Sequence, residues 1–239
     1  ESGYAARLAA LKAGIPEQVP AIAINRQCSS GLEAINLAAQ MIRSEEADVV
    51  VAGGAENMSM TPFLLRNVRW DGLRMGSGVI DDTLVEGLSC PVNHYHMGIT
   101  AENVATTFEV SREDQDKLAL ISHQRAVKAI EGGRFQEQVV PVTVVPRRGD
   151  PVLVQLDEQP KPDTTLQELA TLRPAFKEGG TVTAGNASAI NDAAAAVVIM
   201  AEEKALALGL TPILAWVSRG IAGVEPALMG TGPVPAVRK

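Results

Sequence analysis

Apolar positions recur along this chain in two rhythms, and the switch between them predicts its elements. Tyr4 to Ala13 keeps alanines and leucines on one face and stops at Gly14-Ile15-Pro16, which predicts a helix. Ala21 to Ile24 is a short apolar run that predicts a buried strand. From Ser30 to Ile42, the residues Leu32, Ile35, Ala39 and Ile42 follow a helical period. Asp48 to Ala52 then reads as a second buried strand that enters Gly53-Gly54. Strand, helix and strand in this order predict a β-α-β unit with parallel strands and a right-handed crossover.

The stretch from about Met58 to Met97 mixes Gly, Met, Asp and Pro with weak periodicity, and is expected to be a loop region with short elements. A helix is expected to start at Ser111, with Glu113 and Asp114 in its first turn, and to run through Ala129 to Gly132-Gly133. Val139 to Val145 is strand-like, Arg147 to Asp150 a turn, and Gln159 to Thr165 a polar surface segment. Ala193 to Met200 is a continuous run of small and β-branched residues, expected as a buried strand. Glu202 to Leu208 predicts a helix stopped by Gly209, and Ile213 to Val217 the start of another strand. The class expected is α/β.

Composition narrows what such a chain does. With 239 residues, 46% of them hydrophobic, it is long enough for a substantial core. A formal charge of −7 argues against a nucleic-acid surface. No apolar stretch reaches the roughly 18 residues that span a bilayer, so no membrane role is expected. The opening ESGYAARLAALKAG lacks a basic start and an unbroken apolar segment, and does not read as a signal peptide. Two cysteines make no disulfide framework, which points to a reducing, cytoplasmic setting. His94 and His96 flank a single tyrosine, too close for a common zinc pattern, so no metal is expected.

One of those cysteines is placed suggestively. In INRQCSSGL, Cys28 lies where the first predicted strand hands over to the helix beginning near Ser30. A sulfur facing the unpaired N–H groups of a helix start is favoured as thiolate, the reactive form. Ser29, Ser30 and Gly31 are small and leave room beside it. The competing reading is a buried structural cysteine, among the most commonly buried residue types. Cys90, in the loop-like GLSCP, is expected to be inert.

Several segments together resemble the thiolases, which make or cleave 3-oxoacyl-CoA thioesters by Claisen chemistry. Asn25 to Leu32 resembles the family's nucleophile segment, and Ala52-Gly53-Gly54-Ala55-Glu56-Asn57-Met58-Ser59 its glycine-rich strand end. Tyr95 to Asn103, then Leu172-Arg173-Pro174-Ala175-Phe176, then Thr181 to Ser188 follow in family order. A lone CSSG is weak; this series over most of the chain is specific. The resemblance implies an acyltransferase in which Cys28 carries the acyl group as a thioester, since sulfur both attacks and leaves well. The carbanion half of the reaction also needs a base and an oxyanion hole. It implies that His96, Met97, Phe176, Ala187 and Ser188 line the CoA pantetheine site, with CoA thioesters as substrates and no other cofactor. A homodimer or homotetramer is implied as well. His96, Phe176 and Ser188 also have plain readings: a hydrogen-bonded loop histidine, a core phenylalanine, and a turn or capping serine.

The implied organisation is a thiolase-like N-terminal α/β half with an inserted loop domain and the start of a second half. Residues 1–58 and 181–206 would form the core, 59–180 the inserted domain, and 207–239 the beginning of the C-terminal half. The chain opens within what resembles the second helix. In the family pattern a Gly-His-Pro histidine, which activates the nucleophile, and a second catalytic cysteine follow beyond the segment matching Met229 to Pro233. None of the three histidines here has that context. On these grounds the sequence is expected to be a fragment or a truncated form, apparently lacking segments at both ends. Two further departures are Ala189, where the family usually has Gly, and Ala193 after Asn191-Asp192. Two rivals stay open at this point. One is a non-catalytic CoA-binding scaffold or inactive fragment; the other is a ketoacyl-synthase-type condensing enzyme.

Overall fold

A computed structural model describes residues 3–70, 72–73 and 75–239. In chain order the elements are α1 (Ala5–Lys12), α2 (Ser30–Arg43), β1 (Val49–Asn57), β2 (Phe63–Leu65), β3 (Ile80–Asp82) and α3 (Thr83–Gly87). Then come α4 (Met97–Thr107), α5 (Arg112–Glu131), β4 (Val142–Val144), β5 (Val152–Val154), α6 (Leu166–Thr171), β6 (Asp192–Met200), α7 (Glu202–Ala207) and α8 (Pro233–Arg238). The chain divides into two compact units, residues 1–60 with 191–219 and residues 61–190 with 220–239. No helix among the described residues is long and apolar enough to cross a membrane.

The first unit is built on one antiparallel ladder. β1 pairs with β6 from Val49↔Met200 to Asn57↔Asp192, and α2 packs on both strands. Asn36, Ala38 and Ala39 of α2 and Ala52 of β1 are buried. A Cβ added at Gly53 would lie 2.6 Å from the Ala195 carbonyl oxygen, so the β1–β6 approach demands glycine there. Two contacts reinforce the unit. The Trp216 indole N–H donates to Asn36 Oδ1 at 3.0 Å, and the Arg43 guanidinium stands 5.6 Å from the same ring. The Ser59 hydroxyl and N–H both donate to Asp192, which holds that carboxyl below its ordinary range.

Four expectations are corrected here. The β-α-β unit does not form, because β1 pairs with β6 from far along the chain and does so antiparallel. Ala21 to Ile24 is irregular and mostly exposed; a strand exists only through a ladder partner, and this run has none among the described residues. Ile213 to Val217 is likewise irregular, with Ile213, Leu214 and Val217 exposed. The strand expected over Ala193 to Met200 is present, but it is largely exposed. A two-stranded ladder covered by one helix cannot bury both faces of its strands.

The second unit carries short hairpins, β2 with β3 and β4 with β5, around a helical centre. The β4–β5 turn falls at the expected Arg147 to Asp150, where Gly149 has φ +98°. Ser111 caps α5 as expected, its hydroxyl accepting from the Asp114 N–H at 3.1 Å. Thr165 and Glu168 form a reciprocal capping box at the start of α6. Thr165→Ala removes the acceptor for the Glu168 N–H and should cost about 1 kcal/mol. Urea unfolding followed by circular dichroism checks this; an unchanged midpoint would show that α6 does not depend on its cap.

The core of the second unit is unusually polar. Beside Cys90, Ala105, Leu169 and Val182, the side chains of Thr100, Glu102, Asp116 and Thr183 are buried. Among the described residues no buried side-chain nitrogen or oxygen lacks a hydrogen-bond partner.

Candidate active site

Cys28 belongs to the first unit, two residues ahead of α2. The backbone turns sharply around it, because Gln27 takes a left-handed conformation with φ +49°. Side chains from the same motif hold that turn. Asn25 Oδ1 accepts from the Gln27 N–H at 2.8 Å, and the Ser29 hydroxyl donates to the Arg26 carbonyl at 2.9 Å. The Ser30 hydroxyl accepts from the Arg26 N–H at 2.8 Å and donates to the Gln27 carbonyl at 2.6 Å. The Arg26 guanidinium lies 3.5 Å from Glu33, one helical turn on, and Arg219 stands 3.9 Å from the same carboxylate. The thiol is exposed at the helix start, which goes against the buried structural reading.

In the second unit, the start of α4 gathers the next group. His96 is the N-cap residue, and its Nδ1 accepts from the Gly98 N–H at 3.0 Å. In the neutral ring the proton therefore sits on Nε2, leaving that N–H as a donor. The imidazole stacks on the Phe176 ring, with centroids 4.7 Å apart and planes 15° from parallel. Met97 opens the helix, its N–H donating to the Leu88 carbonyl at 2.8 Å. Gly98 is buried, and a Cβ built there would lie 2.2 Å from Phe176 Cγ. The ring therefore rests directly on the helix backbone.

Phe176 in turn follows a segment tied to Thr181 to Ser188. Pro174 bridges Thr183, and the Ala175 N–H donates to the Val182 carbonyl at 2.8 Å. Asn186 closes the turn beyond: its Oδ1 accepts from the Thr183 N–H at 2.8 Å, and its Nδ2 donates to Asp116 and to the Thr181 carbonyl. The Ala187 N–H donates to the Thr183 carbonyl at 3.0 Å. Ala187 is half-buried and Ser188 exposed.

Behind this turn stands Glu102, from the buried face of α4. Its carboxylate accepts from the Thr181 N–H at 2.8 Å, the Val182 N–H at 2.8 Å and the Thr181 hydroxyl at 3.0 Å. Burial pushes the carboxyl up, but those donors and the charge of Lys177 outweigh it, so it lies below the ordinary glutamate range. Asp116 on α5 pairs with Arg112 at 2.7 Å, and Arg112 reaches on to the Leu169 and Leu172 carbonyls of the α6 region. Sequence reasoning did not single out Glu102, Asp116 or Asn186. A signal existed for Glu102: an acid in register with Gly98 and Ala105 lies on the small-residue stripe of α4, where an unpaired charge is costly.

The structure thus stacks His96 on Phe176 and ties the segment before Phe176, through Val182 and Thr183, to Ala187, all in the second unit. Met97 follows His96 and Ser188 follows Ala187 in the chain, while Cys28 lies on the first unit. Cys90 is buried and accepts from the Asn93 N–H at 3.4 Å, in line with an inert role. Among the described residues no group of histidine, cysteine and carboxylate side chains is placed to hold a metal ion.

Comparison with known proteins adds an independent line. Residues 1–203 match the model of the thiolase N-terminal domain. An acetyl-CoA acetyltransferase of Pseudomonas aeruginosa is 52% identical over 236 residues, covering 98% of this chain and 60% of that protein. The crystal structure of the Bacillus anthracis acetyl-CoA acetyltransferase superposes with a TM-score of 0.93 at 49% identity, covering 100% of this chain and 60% of that one. Human mitochondrial 3-ketoacyl-CoA thiolase in complex with CoA gives a TM-score of 0.90 at 40% identity, covering 98% and 58%. The chain therefore spans about 60% of the length of these relatives.

Proposed function

This chain belongs to the thiolase family, with the thiolase fold of its N-terminal half, and we propose that it serves a thiolase-type acyltransferase. In this reading Cys28 exchanges acyl groups between CoA thioesters. The observation that carries it is an exposed Cys28 on a turn built from its own motif at the start of α2, in a chain about half identical to an acetyl-CoA acetyltransferase.

The chemistry runs in two halves. The Cys28 thiol gives up its proton to a base, and its sulfur attacks the carbonyl carbon of an acyl-CoA. A carbon–sulfur bond forms to Cys28, the bond to CoA sulfur breaks, and the departing CoA sulfur takes up a proton. In the second half acetyl-CoA loses an α-proton, its carbon attacks the Cys28 thioester, and 3-oxoacyl-CoA leaves as the Cys28 sulfur is freed. Thiolysis is the same sequence reversed. The His96 Nε2–H, the Met97 side chain, the Phe176 ring and the Ala187–Ser188 turn are proposed to receive the pantetheine arm. A flat aromatic pair and a short turn of small residues suit a slender, mostly apolar chain carrying amide groups.

The same reading makes the substrates CoA thioesters, with no further cofactor, in a cytoplasmic homodimer or homotetramer. By the family pattern the same reading assigns residues 1–58 with 181–206 to an N-terminal core, 59–180 to an inserted domain and 207–239 to the start of a second half. The two compact units draw the boundaries differently, grouping 181–190 with 61–180 and dividing 207–239 after Arg219. The relatives' names favour thiolase over a carrier-protein-dependent condensing enzyme.

The test is incubation with acetyl-CoA or acetoacetyl-CoA, followed by peptide mass spectrometry. The expected result is an acyl group on Cys28 and none on buried Cys90. A protein that binds CoA yet carries no adduct would replace this reading with that of a CoA-binding scaffold.

A further inference from the structure

We propose that Ser30 is a positioning residue for the Cys28 sulfur; this rests on the reading of Cys28 as the acyl-accepting nucleophile. The thiol is exposed in this chain, and the backbone that carries it sets the direction of its Cα–Cβ bond. That backbone is unusual. Gln27, just before the cysteine, is left-handed at φ +49°, an uncommon conformation for a residue with a side chain.

The Ser30 hydroxyl clamps this bend across the cysteine, alongside the Ser29 hydroxyl on the Arg26 carbonyl. It uses both of its capacities, as acceptor for the Arg26 N–H and as donor to the Gln27 carbonyl. The two backbone groups it holds lie on one side of Cys28 in sequence, while Ser30 itself is the first residue of α2 on the other. The Ser30 hydroxyl therefore bridges the cysteine and ties the bend to a rigid 14-residue helix. The Gln27 carbonyl keeps a second donor, the Ser30 N–H at 3.0 Å, whatever the side chain. The Arg26 N–H is different, since the hydroxyl is its acceptor here and an alanine offers none. Asn25 and Ser29 hold neighbouring groups of the same turn, so losing the Ser30 hydroxyl should loosen the bend without unfolding it.

Misaimed sulfur and lost sulfur are separable by reagent. Acylation by acetyl-CoA needs the thiol aligned with a bound carbonyl, whereas alkylation by iodoacetamide needs only an accessible thiol. In the full chain, Ser30→Ala is expected to slow Cys28 acylation at saturating acetyl-CoA by tenfold or more. The half-saturating concentration and the rate of iodoacetamide alkylation of Cys28 should stay within twofold of the wild type. Ser30→Thr, which retains a hydroxyl on Cβ, should recover most of the acylation rate. Wild-type acylation in Ser30→Ala would overturn the positioning role and leave Cys28 as nucleophile. A loss that Ser30→Thr fails to recover, or one accompanied by an equal fall in alkylation, would also overturn it. A wild-type chain that alkylates at Cys28 but never acylates there would overturn the nucleophile reading, and the Ser30 proposal with it.

Discussion

Glu102→Gln is expected to destabilise the protein by about 3 kcal/mol, since the variant weakens three hydrogen bonds to a buried carboxylate at about 1 kcal/mol each. The carboxylate accepts from Thr181 N–H, Val182 N–H and the Thr181 hydroxyl, and it has no competing solvent. A glutamine of the same shape keeps one acceptor oxygen and turns an N–H₂ group toward backbone N–H groups that are themselves donors. Urea unfolding of the two proteins measures the difference, and a loss below about 1 kcal/mol would mean that the turn at Thr181 is held by other contacts. The wild type should also lose more stability in acid than the variant, which keeps only contributions such as that of Asp192. The folded carboxyl lies below its ordinary range, so the folded protein binds fewer protons than the unfolded chain. The stabilisation is therefore complete above the unfolded value, about 4.3, and fades as pH falls through the lower folded value. In Glu102→Gln this contribution to the acid limb should vanish.

Gly98→Ala is expected to cost about 1 kcal/mol, although alanine is the better helix former by a similar amount. Two effects oppose each other. The intrinsic gain belongs to any helical site, but here the new methyl would stand 2.2 Å from Phe176 Cγ. The ring must swing away, and overpacking of this kind costs roughly 1–3 kcal/mol. Movement of the ring also breaks the His96–Phe176 stack at 4.7 Å. If these two residues receive the pantetheine arm, CoA affinity falls by about tenfold, equivalent to 1.4 kcal/mol. Thermal unfolding and calorimetric CoA titration read the two effects separately. Adding Phe176→Leu should relieve the clash and restore stability without restoring affinity. A Gly98→Ala variant more stable than the wild type would show that the ring does not rest on the α4 backbone.

How much of this was legible in the chain differs by element. Helices α1, α2, α5 and α7 fall within a residue or two of where periodicity, caps and glycine stops place them, because those signals are local. Ser111 shows this most clearly: hydroxyl, acids and helix start lie within four residues. Strands were less legible. Ala193 to Met200 became β6, while Ala21 to Ile24 and Ile213 to Val217, equally apolar, did not become strands. A strand needs a partner, and nothing inside a five-residue run names it.

The site divides along the same line. Sequence by itself determined the residue types and their order: a cysteine at a helix start, a histidine ahead of α4, a phenylalanine and an Ala-Ser pair downstream. Their match to one family's motifs made the acyl-transfer reading available before any geometry. Only the tertiary structure decided that β1 runs antiparallel to β6, that Phe176 stacks on His96, and that Glu102 anchors Thr181 and Val182. The physical reason is sequence separation. Caps and turns such as the Ser30 clamp join residues within a few positions of each other, so their chemistry can be read locally. The Glu102 anchor joins residues about 80 apart, and the β1–β6 ladder joins residues farther apart still. Such partners are brought together by burial and backbone pairing across the whole fold, which no local pattern records.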